Sequence, residues 1–231
     1  AAIETTSPAA VVVGQDAPEP SEAPSAAPPS PAPEPTSDAT EPTREPEEIV
    51  EPVTALAALA LLEVQPRASK AGYDRDLFGY RAVDLDRNGC DTRNDILGRD
   101  LTDVVFKPGT RDCVVMSGVL FDPYTANAIA FERGDGGNLV QIDHVVAMSD
   151  AWQKGAQQLD AEVRRQFAND PLNLLAVDGP ANMQKGAGDA ATWLPANRSF
   201  RCDYVARQIA VKANYDLWVT AAERDAMARV L

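Results

Sequence analysis

The stretch Val140-Gln141-Ile142-Asp143-His144-Val145-Val146 is an apolar run with an acid and an imidazole side by side near its end. We predict a β-strand over residues 139–143 that delivers His144 at its end. His144 is the single histidine in the sequence, so it is the one candidate for any chemistry that needs an imidazole. Because neighbouring strand residues point to opposite faces, Asp143 and His144 would approach a site from two sides.

A second set of polar residues follows at spacings that suit the same site. Residues 172–177 are typical of a short strand carrying Asn173, and Asp178-Gly179-Pro180 is typical of a turn that opens a helix. That helix would carry Asn182 and Lys185 on one face, because they are three residues apart. Two strands and a helix in this order predict a ββα element whose polar residues converge where strand and helix meet.

This set of residues suits a phosphodiesterase that uses a single divalent metal ion. Such an enzyme needs oxygen ligands for the metal, a general base for water, and a cation that offsets transition-state charge. Asp143 can supply a carboxylate and Asn182 a carbonyl oxygen, which suit Mg²⁺, with Mn²⁺ or Ca²⁺ as alternatives. His144 would be the base, because an unperturbed imidazole has a pKa of about 6.5.

Each of these residues also has a structural alternative. A lone histidine after an apolar strand is commonly a satisfied structural residue, Asp143 could cap the next helix, and Asn182 could serve the start of its own. We expect Asn173 to tie the crossing loop together through hydrogen bonds to the backbone. Lys185 would contact a phosphate or Asp143, or be a solvated helical lysine.

Composition divides the chain into two parts. Residues 1–54 hold 12 of the 18 prolines, 11 acids against one base, and no aromatic residue. Because such a segment cannot bury enough apolar surface to offset its ordering entropy, we expect a disordered acidic spacer. Residues 55–231 should form one α+β domain with 20 bases against 24 acids. A nucleic-acid partner would therefore depend on a local basic patch and on metal.

Other elements are predicted around the ββα core. We expect a β-hairpin from residues 114–120 and 128–131, with a turn at residues 122–125. Helices are expected at residues 149–154 and 160–169, at residues 204–213, and after a capping box at residues 220–223. Residues 84–89 resemble half of a calcium-binding loop, but a turn is the preferred interpretation.

The cysteines and the start of the chain favour a secreted protein. Three cysteines fit no zinc pattern, and we prefer a Cys90–Cys113 disulfide, which would contribute about 3 kcal/mol in the loop-entropy model. Cys202 as a partner of either one stays an alternative. The Pro-rich start without an initiator Met suits a cleaved signal peptide, although a trimmed chain would look the same. The eight apolar residues 55–62 are too few to span a membrane, which takes roughly 20, and predict a short core helix.

The sequence resembles a known family, the HNH endonucleases of secreted actinobacterial proteins. That family is similar to the C-terminal nuclease domain of the GmrSD-type restriction enzymes. The resemblance covers about residues 70–226. It rests on six segments, which are residues 88–97, 141–147, 169–177, 182–186, 193–195 and 201–204.

The resemblance implies a ββα-metal (His-Me finger) fold and metal-dependent DNA cleavage, with His144 as the base and Asp143 and Asn182 at the metal. Arg93 becomes a candidate cation for a phosphate or for the transition state, although Asp91 and Asp95 could simply pair with it. The chain departs from the family at Ala147, where a proline is typical, and at Asn182, where the third HNH histidine would stand.

We therefore expect a secreted, monomeric HNH-type endonuclease without a membrane span, acting on DNA or, as an alternative, on RNA. One alternative is a secreted or surface binding protein that keeps the nuclease fold without turnover. Another is a toxin nuclease whose partner is an immunity protein.

Overall fold

A computed structural model describes residues 54–81, 83–134 and 139–231. Apart from Thr54, the expected spacer lies outside the described residues, so its disorder and its boundary stay predictions. The described α-helices are α1 (Ala55–Leu61), α2 (Thr92–Asp100), α3 (Met148–Trp152), α4 (Ala161–Asn169), α5 (Gly179–Lys185), α6 (Arg201–Asn214) and α7 (Ala221–Val230). The described strands are β1 (Leu101–Phe106), β2 (Val115–Phe121), β3 (Ala128–Glu132), β4 (Val140–His144) and β5 (Leu174–Asp178).

Two small antiparallel sheets confirm the α+β class. One has the strand order β1-β2-β3, and its β2–β3 pair is the predicted hairpin, with Phe121 opposite Ala128. The other pairs β4 with β5, so that Asp143 lies opposite Leu175 and His144 opposite Leu174. The β1 strand and the α2 helix were not predicted.

The helix α5 follows β5 directly, so the residues predicted as a turn instead end the strand at Asp178 and begin the helix at Gly179, with Pro180 at the helix start as expected. The side chain of Asp178 caps it by accepting a hydrogen bond from the backbone N–H of Ala181, and Pro180 lies in its first turn. The strands β4 and β5 and the helix α5 thus form a strand-strand-helix unit, with Asn182 and Lys185 on the helix. The predicted helices α1, α3, α4 and α6 are also present, and α7 begins with the expected capping box.

The strand β5 lies between two apolar clusters. Leu175 and Val177 belong to a cluster with buried side chains of α1, α6 and α7, while Leu174 and Ala176 belong to one with side chains of α2 and the three-stranded sheet. Because both faces are buried, the run is apolar throughout instead of alternating. This double burial holds the end of β4, and with it His144, in a fixed place.

The disulfide Cys90–Cys113 is present, as preferred, and Cys202 is a free, exposed thiol. The disulfide joins Cys90, the residue before the N-cap of α2, to Cys113 in the segment before β2. Residues 84–89 form the expected turn, in which the Asp84 carboxylate accepts hydrogen bonds from the backbone N–H groups of Asn88 and Gly89. Across the described ranges, no helix has both the length and the apolarity to cross a membrane.

A group of charges, buried except for Arg67, whose side chain is 34% exposed, joins distant parts of the chain and is here named the ion cluster. Its members are Arg67, Asp150, Lys154, Asp189, Lys212 and Glu223. The ammonium group of Lys154, whose side chain is 0% exposed, lies 2.8 Å from Asp189 and 2.6 Å from Glu223. With three acids and three bases, the cluster carries no net charge, which makes its burial tolerable.

Candidate active site

His144 lies at the end of β4 with its imidazole almost fully buried. Its Nε2 atom is 2.9 Å from the backbone oxygen of Ala168. Because a carbonyl oxygen only accepts, Nε2 carries the ring proton and Nδ1 keeps its lone pair. Burial lowers the pKa of His144 to about 4, against the opposing effects of the Ala168 carbonyl and Asp143. The imidazole is therefore neutral at physiological pH and able to accept a proton.

Asp143 is held by two donors on opposite oxygens. Lys185 Nζ is 2.9 Å from Oδ1, and the Tyr124 hydroxyl donates to Oδ2 over 2.5 Å. Lys185 also donates to the backbone oxygen of His144 over 2.8 Å, so this lysine is not solvated. Burial and then the charge of Asp143 raise the pKa of Tyr124 well above its ordinary value, which keeps the phenol protonated as a donor.

The two asparagines occupy different places. Asn182 donates from Nδ2 to Gln141 over 2.9 Å, and no described residue donates to its side-chain Oδ1. Asn173 is fully buried, accepts from Val146 N over 2.9 Å and donates to Phe167 O over 3.2 Å. Asn173 thus makes the expected backbone tie between the end of β4 and α4, and it lines neither pocket described next.

Two pockets meet at His144. The first has a volume of about 240 Å³ and contains Asp143, and the second has a volume of about 500 Å³ and contains Arg93. Both are lined by the same four residues, which are Arg75, Ile142, His144 and Asn182. We call the two together the site groove. It brings Asp143, His144, Asn182 and Arg93 to one place, while Lys185 and Asn173 lie behind it.

Arg93 does not form the ion pairs with Asp91 or Asp95 that were its structural alternative. Asp91 caps α2 by accepting from the backbone N–H of Asn94, and Asp95 accepts from the side chain of Asn88. Arg93 is exposed and forms no ion pair with any residue in the described ranges. Its guanidinium is therefore free to meet a ligand in the second pocket.

The groove offers oxygen ligands that suit one kind of metal ion. Within the described ranges, no group of three or more His, Cys, Asp or Glu residues could hold one. Asp143 and the Asn182 carbonyl fit a hard cation that keeps several waters, such as Mg²⁺, and do not fit a zinc site. Each Asp143 oxygen has one proton donor and so retains a lone pair, although Lys185 already neutralises the carboxylate.

Several residues of the groove were not predicted. Arg75, Tyr80, Arg81 and Gln141 line it, and Tyr124 supports Asp143 from behind. For Arg75, Tyr80 and Arg81 the sequence did offer a signal, because two arginines on either side of an aromatic residue are unusual in an acidic chain. Tyr124 gave none, because it follows a proline in a predicted turn and yet is fully buried.

Comparison with known proteins places these residues in a family context. Residues 91–230 match the family model described as "GmrSD restriction endonucleases, C-terminal domain". A protein of the fungus Arthroderma benhamiae, described as an uncharacterized secreted protein, is 37% identical over 180 residues, which cover 77% of this chain and 83% of the fungal protein. No solved structure is significantly similar to the chain. Because this relative is fungal, the actinobacterial origin stays a prediction.

Proposed function

Because the chain belongs to the family of GmrSD restriction endonuclease C-terminal domains, we propose that it is an HNH-type endonuclease that hydrolyses phosphodiester bonds in DNA with a divalent metal ion. The observation that carries this proposal is the neutral, buried His144. No residue in the described ranges bonds its Nδ1 atom, and Asp143 and Asn182 line the same pocket. A buried histidine with only a structural role would have no need to line a groove.

In this mechanism His144 accepts the proton of a water molecule as the water oxygen bonds to phosphorus and the bond from phosphorus to the leaving nucleoside oxygen breaks. Asp143 and Asn182 would hold the metal ion, most suitably Mg²⁺. When bound, the ion would supply positive charge to the phosphate oxygens. Arg93 would add a second positive charge from the other pocket.

Three residues have supporting roles in this mechanism. Tyr124 and Lys185 keep the Asp143 carboxylate in one orientation through their hydrogen bonds. Asn173 fixes the chain just after His144 through its bond to Val146. None of the three needs to touch the substrate, so we propose them as positioning residues.

We further propose that the protein acts outside the cell as a monomer. A secreted relative and the Cys90–Cys113 disulfide support the location, because such bonds persist in oxidising compartments. One observation favours a different function. Lys185 and Tyr124 already engage both oxygens of Asp143, as expected for a binding protein that keeps the fold without turnover.

The test is a plasmid-cleavage assay with Mg²⁺, Mn²⁺ or Ca²⁺, with and without EDTA, and with a structured RNA in parallel. The His144→Ala variant should lose about 10²–10⁴-fold in rate while keeping the wild-type unfolding temperature. Cleavage that survives both EDTA and this substitution would contradict the mechanism. Absence of cleavage by the wild-type protein with all three metals would favour the binding protein.

A further inference from the structure

The second pocket of the site groove has an unusual charge for this protein. Three arginines line it, which are Arg75, Arg81 and Arg93, and no aspartate or glutamate is among its lining residues. The whole chain carries a formal net charge of −14. The three arginines repel one another unless an anion lies between them. A purely cationic pocket in an acidic protein therefore indicates an anionic ligand.

The three guanidinium groups are available for that ligand. Arg75 and Arg93 form no ion pair within residues 54–81, 83–134 and 139–231. Arg81 lies 3.6 Å from Asp76, but both side chains are 74% exposed, and such a surface pair contributes little. None of the three charges is therefore consumed by the fold.

Tyr80 places two of these cations beside His144. The guanidinium carbons of Arg75 and Arg81 lie 4.6 Å and 5.0 Å from the centroid of the Tyr80 ring, within range of cation–π attraction. The same ring meets the His144 imidazole edge-on, with 6.5 Å between centroids.

The chemistry of the pocket indicates which anion. A guanidinium binds a phosphate through two parallel hydrogen bonds, and three guanidiniums exceed what one phosphate needs. The same pocket, with a volume of about 500 Å³, is also lined by the uncharged residues Ile142, Ala168 and Leu174, so it has space for more than one phosphate. The short helix Arg75–Phe78 and the two residues after Gly79 lie before the family match, which begins at residue 91.

We propose that Arg75, Arg81 and Arg93 bind consecutive phosphates of a nucleic-acid strand, next to the phosphodiester bond that is attacked by the water that His144 deprotonates. The nature of the polyanion rests on the proposed nuclease function. The site would select a polynucleotide over a mononucleotide, because a single phosphate can engage only some of its cations.

The test measures binding without cleavage. Fluorescence anisotropy with labelled 20-nucleotide single-stranded DNA, double-stranded DNA and RNA is recorded in EDTA at several salt concentrations. A length of about 20 nucleotides is chosen because it exceeds typical single-strand site sizes of roughly 4–16 nucleotides. The variants are Arg75→Ala/Arg93→Ala and, as a matched control, Arg229→Ala, an exposed arginine that lines neither pocket.

The double variant should bind at least about ten-fold more weakly than wild type, and its salt slope should fall by about 0.7 per arginine on single strands. The Arg229→Ala control should stay within about two-fold of wild type. Equal affinities of the double variant and the control would overturn this site whether or not the protein cleaves DNA, as would no binding by the wild-type protein. Arginine-dependent binding, together with no cleavage in the plasmid assay that contains metal ions, would uphold the site and refute only the proposed activity.

Discussion

The Tyr124 hydroxyl donates a hydrogen bond of 2.5 Å to Oδ2 of Asp143, from a segment 19 residues earlier in the chain. Tyr124 is itself fully buried against Trp193, Phe200 and Tyr204. The aromatic packing leaves the phenol little freedom, and the phenol in turn limits rotation of the carboxylate. The orientation of Asp143 is therefore set by the core and not by solvent.

Tyr124→Phe should lower the rate of DNA cleavage by about ten-fold, because it removes a hydrogen bond to a charged group worth roughly 1.5–3 kcal/mol. Plasmid nicking under single-turnover conditions measures this loss. The control is Tyr204→Phe, which removes a hydroxyl from the same aromatic cluster without touching Asp143. Equal rates for the two variants would show that the phenol does not position the carboxylate.

Lys185→Met should lower the free energy of unfolding by about 3–5 kcal/mol, because it leaves a buried carboxylate without its counter-charge. Adding Asp143→Asn should restore part of that loss, since the amide oxygen can still accept from Tyr124. Urea denaturation of the single and double variants gives the comparison. A double variant less stable than Lys185→Met alone would mean that the charge pair is not the main stabilising contact.

Asn173→Ala should lower the free energy of unfolding by about 2–3 kcal/mol, because a fully buried amide loses its backbone partners Val146 and Phe167. It should also reduce cleavage well below the unfolding transition, since the chain after His144 is no longer fixed. An undiminished rate in the folded variant would leave Asn173 with a role in stability alone.

The ion cluster should make stability sensitive to acid. Burial would raise the pKa of Asp189, but its hydrogen bond with Lys154 and the charges of Lys154 and Arg67 outweigh burial and lower the pKa to about 2. A depressed carboxyl pKa stabilises the fold above the ordinary value of about 4, and this contribution is lost as the pH falls through the folded value. The shift corresponds to about 2 kcal/mol.

Urea denaturation of wild type and Asp189→Asn at several pH values tests this sensitivity. The stability difference between them should be largest at pH 6 and should shrink by about 1 kcal/mol by pH 3. A difference that stays constant over this range would assign the acid sensitivity to the other carboxylates of the cluster.

The sequence was sufficient for the strand-strand-helix unit because its signals are local. A doubly buried strand is apolar throughout, and Asp178 with Pro180 marks the start of α5. The α2 helix and the β1 strand have weaker apolar signals, although Asp91 marks the start of α2. Of the residues in β1, only Leu101 is buried, and α2 buries two apolar side chains, Ile96 and Leu97.

The site was predictable where its residues lie on that unit and not where it depends on distant contacts. Asp143, His144 and Asn182 are local to it, and Arg93 followed from the family resemblance. Arg75 comes from a segment whose place depends on packing of Phe78 against Phe167 and Trp152. The ion cluster is the extreme case, since Arg67 and Asp189 are 122 residues apart, and residue type alone does not reveal which charges are buried.

The Cys90–Cys113 disulfide should support oligonucleotide binding, because Arg93 lies three residues after Cys90. Reduction with dithiothreitol should weaken binding of the 20-nucleotide probe by several-fold, on the order of the loss expected for Arg93→Ala. The Cys202→Ser variant, which lacks only the free thiol, should respond to the reductant as wild type does. Unchanged binding after complete reduction would show that the disulfide does not support binding in the site groove.

The position of this disulfide also sets an order of events. Cysteine pairs stay reduced in the cytosol and oxidise once the chain reaches an oxidising compartment. For the exported protein that we propose, the helix that carries Arg93 would gain its covalent support only after export has begun. For a secreted nuclease, that delay means that the disulfide beside the site groove forms only where the protein no longer meets the DNA of the cell that produces it.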